Sequence, residues 1–174
     1  MNGEKGLVEV FFGDGKGKTS ASLGVLLRAV GHGKRVLFLQ FFKKRLTGEI
    51  ASLQFLPGVE CYQFGTEDFV EGEAPTVAQR EEFLLGWHIA RFALLEGKYD
   101  LVILDEFTYS LLWGLLSWEE LREVLVQRKP WVEVIFTGRK VPQELLEFAD
   151  LVSEIRNMKH PFEKGIPARK GFEY

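Results

Sequence analysis

The chain is poor in the residues that build disulfides and histidine metal sites. It has one cysteine and three histidines among 174 residues. A single thiol, Cys61, cannot form an internal disulfide, and a chain of this length can bury enough apolar surface to fold without one. No two histidines have the spacing of metal ligands. We therefore expect a protein of a reducing compartment, the cytoplasm, with neither a disulfide framework nor a structural zinc site.

Long apolar runs and a strong excess of charge are also missing. No run approaches the roughly 18 apolar residues that cross a membrane, and residues 1–6 lack the apolar core of a signal peptide. The 22 basic residues nearly balance the 25 acidic ones, which leaves a formal net charge of −3. We therefore expect a soluble chain that binds neither a membrane nor, over its whole surface, a nucleic acid.

Short apolar runs alternate with longer amphipathic segments, in a composition that is ordinary for a globular domain: 46% hydrophobic and 27% charged. The periodicity predicts strands over 7–12, 36–42, 101–104, 132–136 and 151–155. It predicts helices over 20–30, 77–95, 117–126 and 144–149, with Ser117 as the N-cap of the third. This alternation indicates one α/β domain over residues 1–174, with a mainly parallel sheet and helices on both faces.

Three segments depart from the alternation. Residues 43–51 are polar and predict a loop that leads into a helix. Residues 64–75 predict a long surface loop, and a loop of that length in a compact domain is often functional. Residues 157–174 are irregular, and we expect four apolar side chains to anchor them, namely Phe162, Ile166, Phe172 and Tyr174.

A glycine-rich segment joins the first predicted strand to the first helix and reads Gly-Asp-Gly-Lys-Gly-Lys-Thr. Glycines let backbone N–H groups surround an anion, and the helix that follows adds its positive end. We predict a nucleotide site in which Lys18 binds the terminal phosphates, the Thr19 hydroxyl binds Mg²⁺ and Lys16 adds a second cation. Asp14 is expected to point away or to hold a backbone or ribose group. The candidate residues are Gly13, Asp14, Gly15, Lys16, Gly17, Lys18, Thr19 and Ser20.

The match to a P-loop is imperfect, because Phe12 stands where the full motif has its first glycine. The alternative is a glycine-rich turn that binds no ligand.

Two carboxylates, Asp105 and Glu106, follow the apolar strand over 101–104. In P-loop proteins an acid at the end of a buried strand holds the Mg²⁺ shell, and the second acid could polarise water or bind metal. The alternative is an ordinary strand end that meets solvent.

Three further polar residues are candidates for nucleotide binding. Arg139 follows the strand over 132–136, and Gln40 lies near the end of its own strand, where parallel sheets bind ligands. Arg28 lies late in the first helix. A surface ion pair is the alternative for Arg139, and for Arg28 a cation that stabilises the helix end.

Short motifs are spread over nearly the whole chain: Gly13 to Thr19, Arg28 to Lys34, Gln40-Phe41, Leu104-Asp105-Glu106, Thr108-Tyr109, Thr137-Gly138-Arg139, Ala149-Asp150, Lys159-His160-Pro161-Phe162, Gly165 and Lys170-Gly171. Together they resemble the P-loop-type ATP:corrinoid adenosyltransferases, also called cob(I)alamin adenosyltransferases. The shortened loop combined with the Lys-His-Pro-Phe tail is more specific than either motif alone.

The resemblance implies transfer of the 5′-deoxyadenosyl group of ATP to the Co(I) of a reduced corrinoid, with triphosphate as the leaving group. It implies catalytic roles for Lys18 and Glu106, Mg²⁺ bound by Thr19, Glu106 and Asp105, and corrinoid contacts from Phe69 and His160. ATP and a corrinoid would be the substrates. A reductase that supplies Co(I) would be a partner, and the protein would form a homodimer.

The sequence departs from the family pattern at three positions. Asp14 stands where asparagine is frequent, Glu71 where a second aromatic residue helps to displace the lower cobalt ligand, and Arg169 where glutamine is common. Two other functions remain open on the sequence: a P-loop kinase or small ATPase, in which Glu106 activates water or an acceptor, and a carrier that binds a corrinoid or nucleotide without chemistry.

Overall fold

A parallel sheet forms the centre of the computed structural model, which describes residues 5–66 and 75–172. Within these residues the sheet has six strands, which are β1 (Val8–Phe12), β2 (Val36–Phe41), β3 (Val59–Phe64), β4 (Leu101–Asp105), β5 (Glu133–Gly138) and β6 (Leu151–Glu154). The helices are α1 (Lys18–Gly31), α2 (Gly48–Leu53), α3 (Val77–Glu96), α4 (Thr108–Leu112), α5 (Trp118–Gln127) and α6 (Gln143–Phe148), followed by a 3₁₀ helix over Pro161–Lys164.

The strands lie in the order β3-β2-β4-β5-β1-β6, and neighbouring strands run parallel. The register pairs Gln40 of β2 with Asp105 of β4 on one side and with Gln63 of β3 on the other. Because all strands point the same way, their carboxyl ends meet at one edge of the sheet, where parallel sheets bind ligands. The topology therefore brings the polar strand ends into one row.

Helices cover both faces of the sheet, as the sequence predicted. On one face Phe83 and Trp87 of α3 and Leu121 of α5 pack with Leu37 and Leu39. On the other face the packed side chains come from α1, α2 and the alternate strand positions, and they are Leu26, Ile50, Leu53, Phe38, Ile103 and Ile135. Because neighbouring positions of β2 are buried on opposite faces, this strand is apolar throughout except at Gln40.

Most predicted elements are confirmed with shifts of a few residues at their ends. Ser117 caps α5 as predicted, because its hydroxyl accepts a hydrogen bond from the N–H of Glu120. The sequence analysis missed β3 and α4. The first is an edge strand in which a single residue is buried, so it has no apolar run, and the second is five residues long, too short for a helical period.

The predicted loop over 64–75 begins later than expected, because β3 extends to Phe64, and residues 67–74 lie outside the described residues. The expectation that apolar side chains anchor the tail is wrong for Ile166 and Phe172, which are 45% and 70% exposed. Tyr174 and the side chain of Phe162 also lie outside the described part of the chain. Among the described helices, none combines the length and hydropathy that a membrane-spanning segment requires.

Helix α3 lies unusually close to the sheet at Gly86. A Cβ atom at this position would lie 2.6 Å from ring atoms of Phe41 and of Phe64. The ring of Phe41 is fully buried among other aromatic rings, including Phe83 and Phe107. A glycine is therefore required here by the close approach of the helix to packed rings.

We predict that Gly86→Ala destabilises the protein by about 1–2 kcal/mol, because overpacking of the rings outweighs the gain in helix propensity. The matched control is Gly24→Ala in α1, where nothing lies within 4 Å of the new Cβ, and which should stabilise by about 0.5–1 kcal/mol. Urea unfolding measures both. Equal effects of the two substitutions would contradict this account of the packing.

Candidate active site

The glycine-rich loop after β1 is held by the ends of two other strands. The N–H of Gly13 donates to the carbonyl of Arg139, just beyond β5, at 3.2 Å. The N–H of Gly15 donates to the carbonyl of Ile155, just beyond β6, at 2.8 Å. Gly13 and Gly17 have φ values of 116° and 129°, which favour glycine strongly. The loop is thus built into the carboxyl edge of the sheet.

The segment just after β6 leaves no room for a side chain at Gly13 or Gly15. A Cβ at Gly13 would collide with the carbonyl oxygen of Ile155, and a Cβ at Gly15 would lie 2.8 Å from the backbone of Arg156. The carboxylate of Asp14 accepts a hydrogen bond from the N–H of Asn157 at 3.1 Å. Asp14 therefore holds a backbone group of the segment after β6, one of the arrangements expected for it.

Lys18 is a buried cation at the start of α1. The residue is 8% exposed, and its ammonium group donates to the carbonyl of Gly15 at 2.9 Å. Burial lowers the pKa of Lys18, and the nearby carboxylates of Glu106 and Asp105 act in the opposite direction. A phosphate group at the loop would favour the charged form of this lysine.

The carboxylate of Asp105 joins three elements of the fold. It is fully buried and accepts hydrogen bonds from Thr19 at 2.9 Å, Gln40 at 2.9 Å and Thr137 at 2.7 Å. These donors lie on α1, β2 and β5. A buried carboxylate requires such partners, because its charge has lost the hydration of water. Asp105 is therefore not an ordinary strand end that meets solvent.

Glu106 lies beside Asp105 with a φ of 57°, a strained conformation for a residue with a side chain. Its N–H donates to the hydroxyl of Thr137 at 2.9 Å. Burial, followed by the charge of Asp105, raises the pKa of Glu106 to about 7, although Lys18 and Arg139 oppose the shift. This carboxyl therefore binds a proton more tightly than an ordinary glutamate does.

The side-chain oxygen atoms at this edge of the sheet are of the kind that Mg²⁺ takes as ligands. The hydroxyl of Thr19 contacts Asp105 directly, and Glu106 is the next residue. The described residues contain no group of three or more His, Cys, Asp or Glu side chains that could hold a metal ion. Mg²⁺ does not require such a group, because it binds through one or two carboxylates and takes further ligands from substrate phosphates and water.

The structure brings Arg139 to the site but not Arg28. The charge of Arg139 acts on both Lys18 and Glu106. Arg28 lies ten residues beyond Lys18, roughly 15 Å along α1, where its charge acts on Glu9. Lys16 and Ser20 are exposed at the loop and at the start of α1.

The structure describes one of the two candidate corrinoid residues. His160 is partly exposed in the tail after β6. Phe69 lies outside the described residues.

Sequence reasoning missed three residues of the site. Thr137 is the last residue but one of the buried strand β5, and its place near the carboxyl end of a parallel strand could have identified it. Lys43 lies close enough for its charge to lower the pKa of Glu106. Gln63 donates to Gln40 at 2.7 Å, and no sequence signal identified it because β3 itself was not predicted.

A phosphate-binding loop between β1 and α1, with a buried acid at the end of β4, defines a P-loop nucleotide-binding protein. The family model of the ATP:corrinoid adenosyltransferases BtuR/CobO/CobP matches residues 4–174. The chain belongs to this family.

Several curated relatives are similar over nearly the whole chain. The corrinoid adenosyltransferase of Escherichia coli (strain K12) is 40% identical over 174 residues, which cover 98% of this chain and 87% of the relative. The corrinoid adenosyltransferase CobA of Salmonella typhimurium is 37% identical, with the same two shares covered. The corrinoid adenosyltransferase of Pseudomonas aeruginosa is 34% identical, and the match covers 98% of this chain and 85% of the relative. The family resemblance seen in the sequence is confirmed.

We predict that Glu106→Gln stabilises the ligand-free protein at high pH. The raised pKa means that native Glu106 favours folding when protonated and loses this contribution as the pH rises from about 4.5 through about 7. Between pH 5 and pH 8 the stability of the variant relative to the parent should rise by about 2 kcal/mol. Urea unfolding in EDTA measures this. A difference that does not change with pH would contradict the assigned environment.

Proposed function

We propose that this protein transfers the 5′-deoxyadenosyl group of ATP to the Co(I) of a reduced corrinoid and releases triphosphate, in the synthesis or salvage of cobalamin. The observation that carries this proposal is membership of the family over residues 4–174. The site is consistent with it, because it combines an anion-binding loop with oxygen donors for a metal.

In this reaction an electron pair of Co(I) forms the bond to C5′. The bond from C5′ to the phosphate oxygen breaks, and its electron pair leaves on the triphosphate. The protein therefore has to stabilise negative charge on a leaving group rather than activate a nucleophilic side chain. Preorganised N–H groups and cations at the phosphate loop are suited to this task, because they require little reorganisation during the reaction.

Lys18 is the proposed catalytic cation of the loop, with Lys16 as a second cation. The ammonium group of Lys18 donates to the carbonyl of Gly15, and we infer that it donates to a phosphate oxygen when ATP is bound. The surroundings of Lys18 are largely shielded from water, so its charge acts more strongly on the departing triphosphate than it would in bulk solvent.

We further propose that Thr19, Asp105 and Glu106 hold Mg²⁺. When bound, the ion would neutralise part of the triphosphate charge. The proton on Glu106 would be released when the cation arrives, because a nearby positive charge favours the carboxylate. Glu106 would then act as a ligand, which is its proposed catalytic role.

The remaining proposed nucleotide contacts come from the glycines of the loop and from five side chains. Gly13, Gly15 and Gly17 would let the loop approach phosphate closely, although the N–H groups of Gly13 and Gly15 themselves donate to Arg139 and Ile155. The candidate side chains are Asp14, Ser20, Arg28, Gln40 and Arg139. Arg28 could reach only a part of the ligand that extends far from the loop.

Phe69 and His160 are the proposed corrinoid contacts. A single domain over residues 1–174, a homodimer, a reductase as the source of Co(I) and a cytoplasmic location complete the proposal.

Analysis of the phosphate product tests the function. The protein is incubated with MgATP and chemically reduced cob(I)alamin, with a control that lacks corrinoid. We expect triphosphate only when corrinoid is present, together with a light-sensitive cobalt–carbon spectrum. ADP and phosphate in both reactions would indicate ordinary phosphoryl transfer and overturn the proposal. Ligand binding without either product would indicate a carrier.

The same assay with two lysine variants tests the role of the loop. Lys18→Ala should lower the rate of triphosphate formation roughly 100-fold or more, because it removes a preorganised cation from the leaving group. The matched control is Lys34→Ala, whose ammonium group lies 3.7 Å from Asp100 at the opposite edge of the sheet and should leave the rate within about twofold. Similar losses in both variants would contradict the assignment.

A further inference from the structure

Gln63, at the end of β3, is linked to the buried carboxylate of Asp105 through a second amide. The NH₂ group of Gln63 donates to the side-chain carbonyl of Gln40 at 2.7 Å and to the backbone carbonyl of Arg45 at 2.9 Å. The NH₂ group of Gln40 donates to Oδ2 of Asp105 at 2.9 Å. This hydrogen-bond relay connects three elements at the carboxyl edge of the sheet.

The two ends of the relay determine the direction of both amides. The carboxylate of Asp105 and the backbone carbonyl of Arg45 can only accept hydrogen bonds. Gln40 must therefore turn its NH₂ group to Asp105, which leaves its carbonyl facing Gln63. Gln63 in turn must present its NH₂ group to both neighbours. A reversed amide at Gln40 would place its oxygen against the Asp105 carboxylate.

Burial makes the direction of the relay energetically important. Gln40 is 1% exposed, so an unpaired amide group at this position would lose hydration without compensation. Oδ1 of Asp105 already accepts from Thr19 and Thr137. The bond from Gln40 to Oδ2 therefore fixes the rotation of the carboxylate, and with it the oxygen that contacts Thr19 of the phosphate loop.

The relay also holds the basic segment after β2, residues 43–47. Gln63 binds the carbonyl of Arg45 in the middle of this segment. Lys43, two residues earlier, lies 3.9 Å from Glu49 of α2, and Lys44 lies 3.6 Å from Glu82 of α3. Gln63 therefore links the basic segment 43–47 to the carboxylate of Asp105 through hydrogen bonds.

We propose that Gln63 is a positioning residue for adenosyl transfer. It fixes the direction of the Gln40 amide, which in turn keeps Asp105 aligned with Thr19 at the metal and phosphate site. This inference rests on the proposed function. Gln63 lies on the edge strand β3 and belongs to none of the sequence motifs.

Gln63→Glu tests the direction of the relay with almost no change in shape. At pH 8 the introduced carboxylate can only accept, so position 63 no longer donates to the carbonyl of Gln40. The Gln40 amide then either leaves its buried carbonyl unpaired or reverses and presents its oxygen to Asp105, and both arrangements disturb the carboxylate. We expect kcat/KM for ATP to fall roughly 10- to 100-fold. At lower pH the introduced carboxyl group is protonated and can donate again, so the activity ratio of variant to parent should recover. Gln54→Glu, the same change on an exposed residue of the turn after α2, should show neither effect.

A double-mutant cycle tests whether Gln63 acts through Gln40. Gln40→Leu and Gln63→Leu should each lower kcat/KM, and the double variant should be little worse than Gln40→Leu alone. Additive effects would overturn the relay, as would a Gln63→Glu variant that stays within twofold of the parent at every pH.

Binding measurements separate failure of the relay from failure of the proposed function. Calorimetric titration with MgATP, without corrinoid, should show weaker Mg²⁺-dependent binding for Gln63→Glu than for Gln54→Glu. This difference is expected even if the parent produced no triphosphate in the transfer assay. Circular dichroism and thermal melting confirm that each variant is folded, and Gln63→Leu provides the same binding test if Gln63→Glu does not fold. Unchanged MgATP binding in a folded variant would overturn the proposal.

Discussion

The buried carboxylate of Asp105 is the constraint on which the site depends. A charge that has lost its hydration must be compensated by hydrogen bonds, and here the donors come from α1, β2 and β5. Each donor is correctly placed only when the parallel register is complete. The phosphate loop, the neighbouring strands and the acid at the end of β4 are therefore specified together, and a shift of one strand would disrupt the whole site.

The glycine-rich loop over 13–19 and the acid pair Asp105 and Glu106 have features that lower the stability of the fold. Gly13 and Gly15 leave room for the backbone after β6, and the cost is greater backbone freedom in the unfolded chain. Glu106 combines a positive φ with a raised pKa. Both features are unfavourable without a ligand, and a bound cation would relieve the second. Strained or unfavourable groups of this kind are concentrated at functional sites, where the surrounding fold maintains them.

The sequence predicted the elements whose signals are local. Apolar runs identified the central strands, and the Gly-Lys-Thr segment and the acid pair indicated the candidate phosphate site. It missed β3 because an edge strand needs no apolar run. It also missed the link from Gln63 to Asp105, because Gln63 and Gln40 are 23 residues apart and Gln40 and Asp105 are 65 apart. Such contacts depend on the order of strands in the sheet, which spacing along the chain does not reveal. Arg28 illustrates the same limit, since a motif position made it a candidate for nucleotide binding but did not reveal that it lies roughly 15 Å along α1 from Lys18.

The most direct test of this account is a crystal structure of the protein with ATP and Mg²⁺ in the absence of corrinoid. We expect the triphosphate within residues 13–19, the ammonium group of Lys18 on a phosphate oxygen, and the metal ion beside Thr19 and Glu106 with the Gln63–Gln40–Asp105 relay intact. A triphosphate bound away from the loop, or a metal ion that does not approach Thr19, Asp105 or Glu106, would contradict the account.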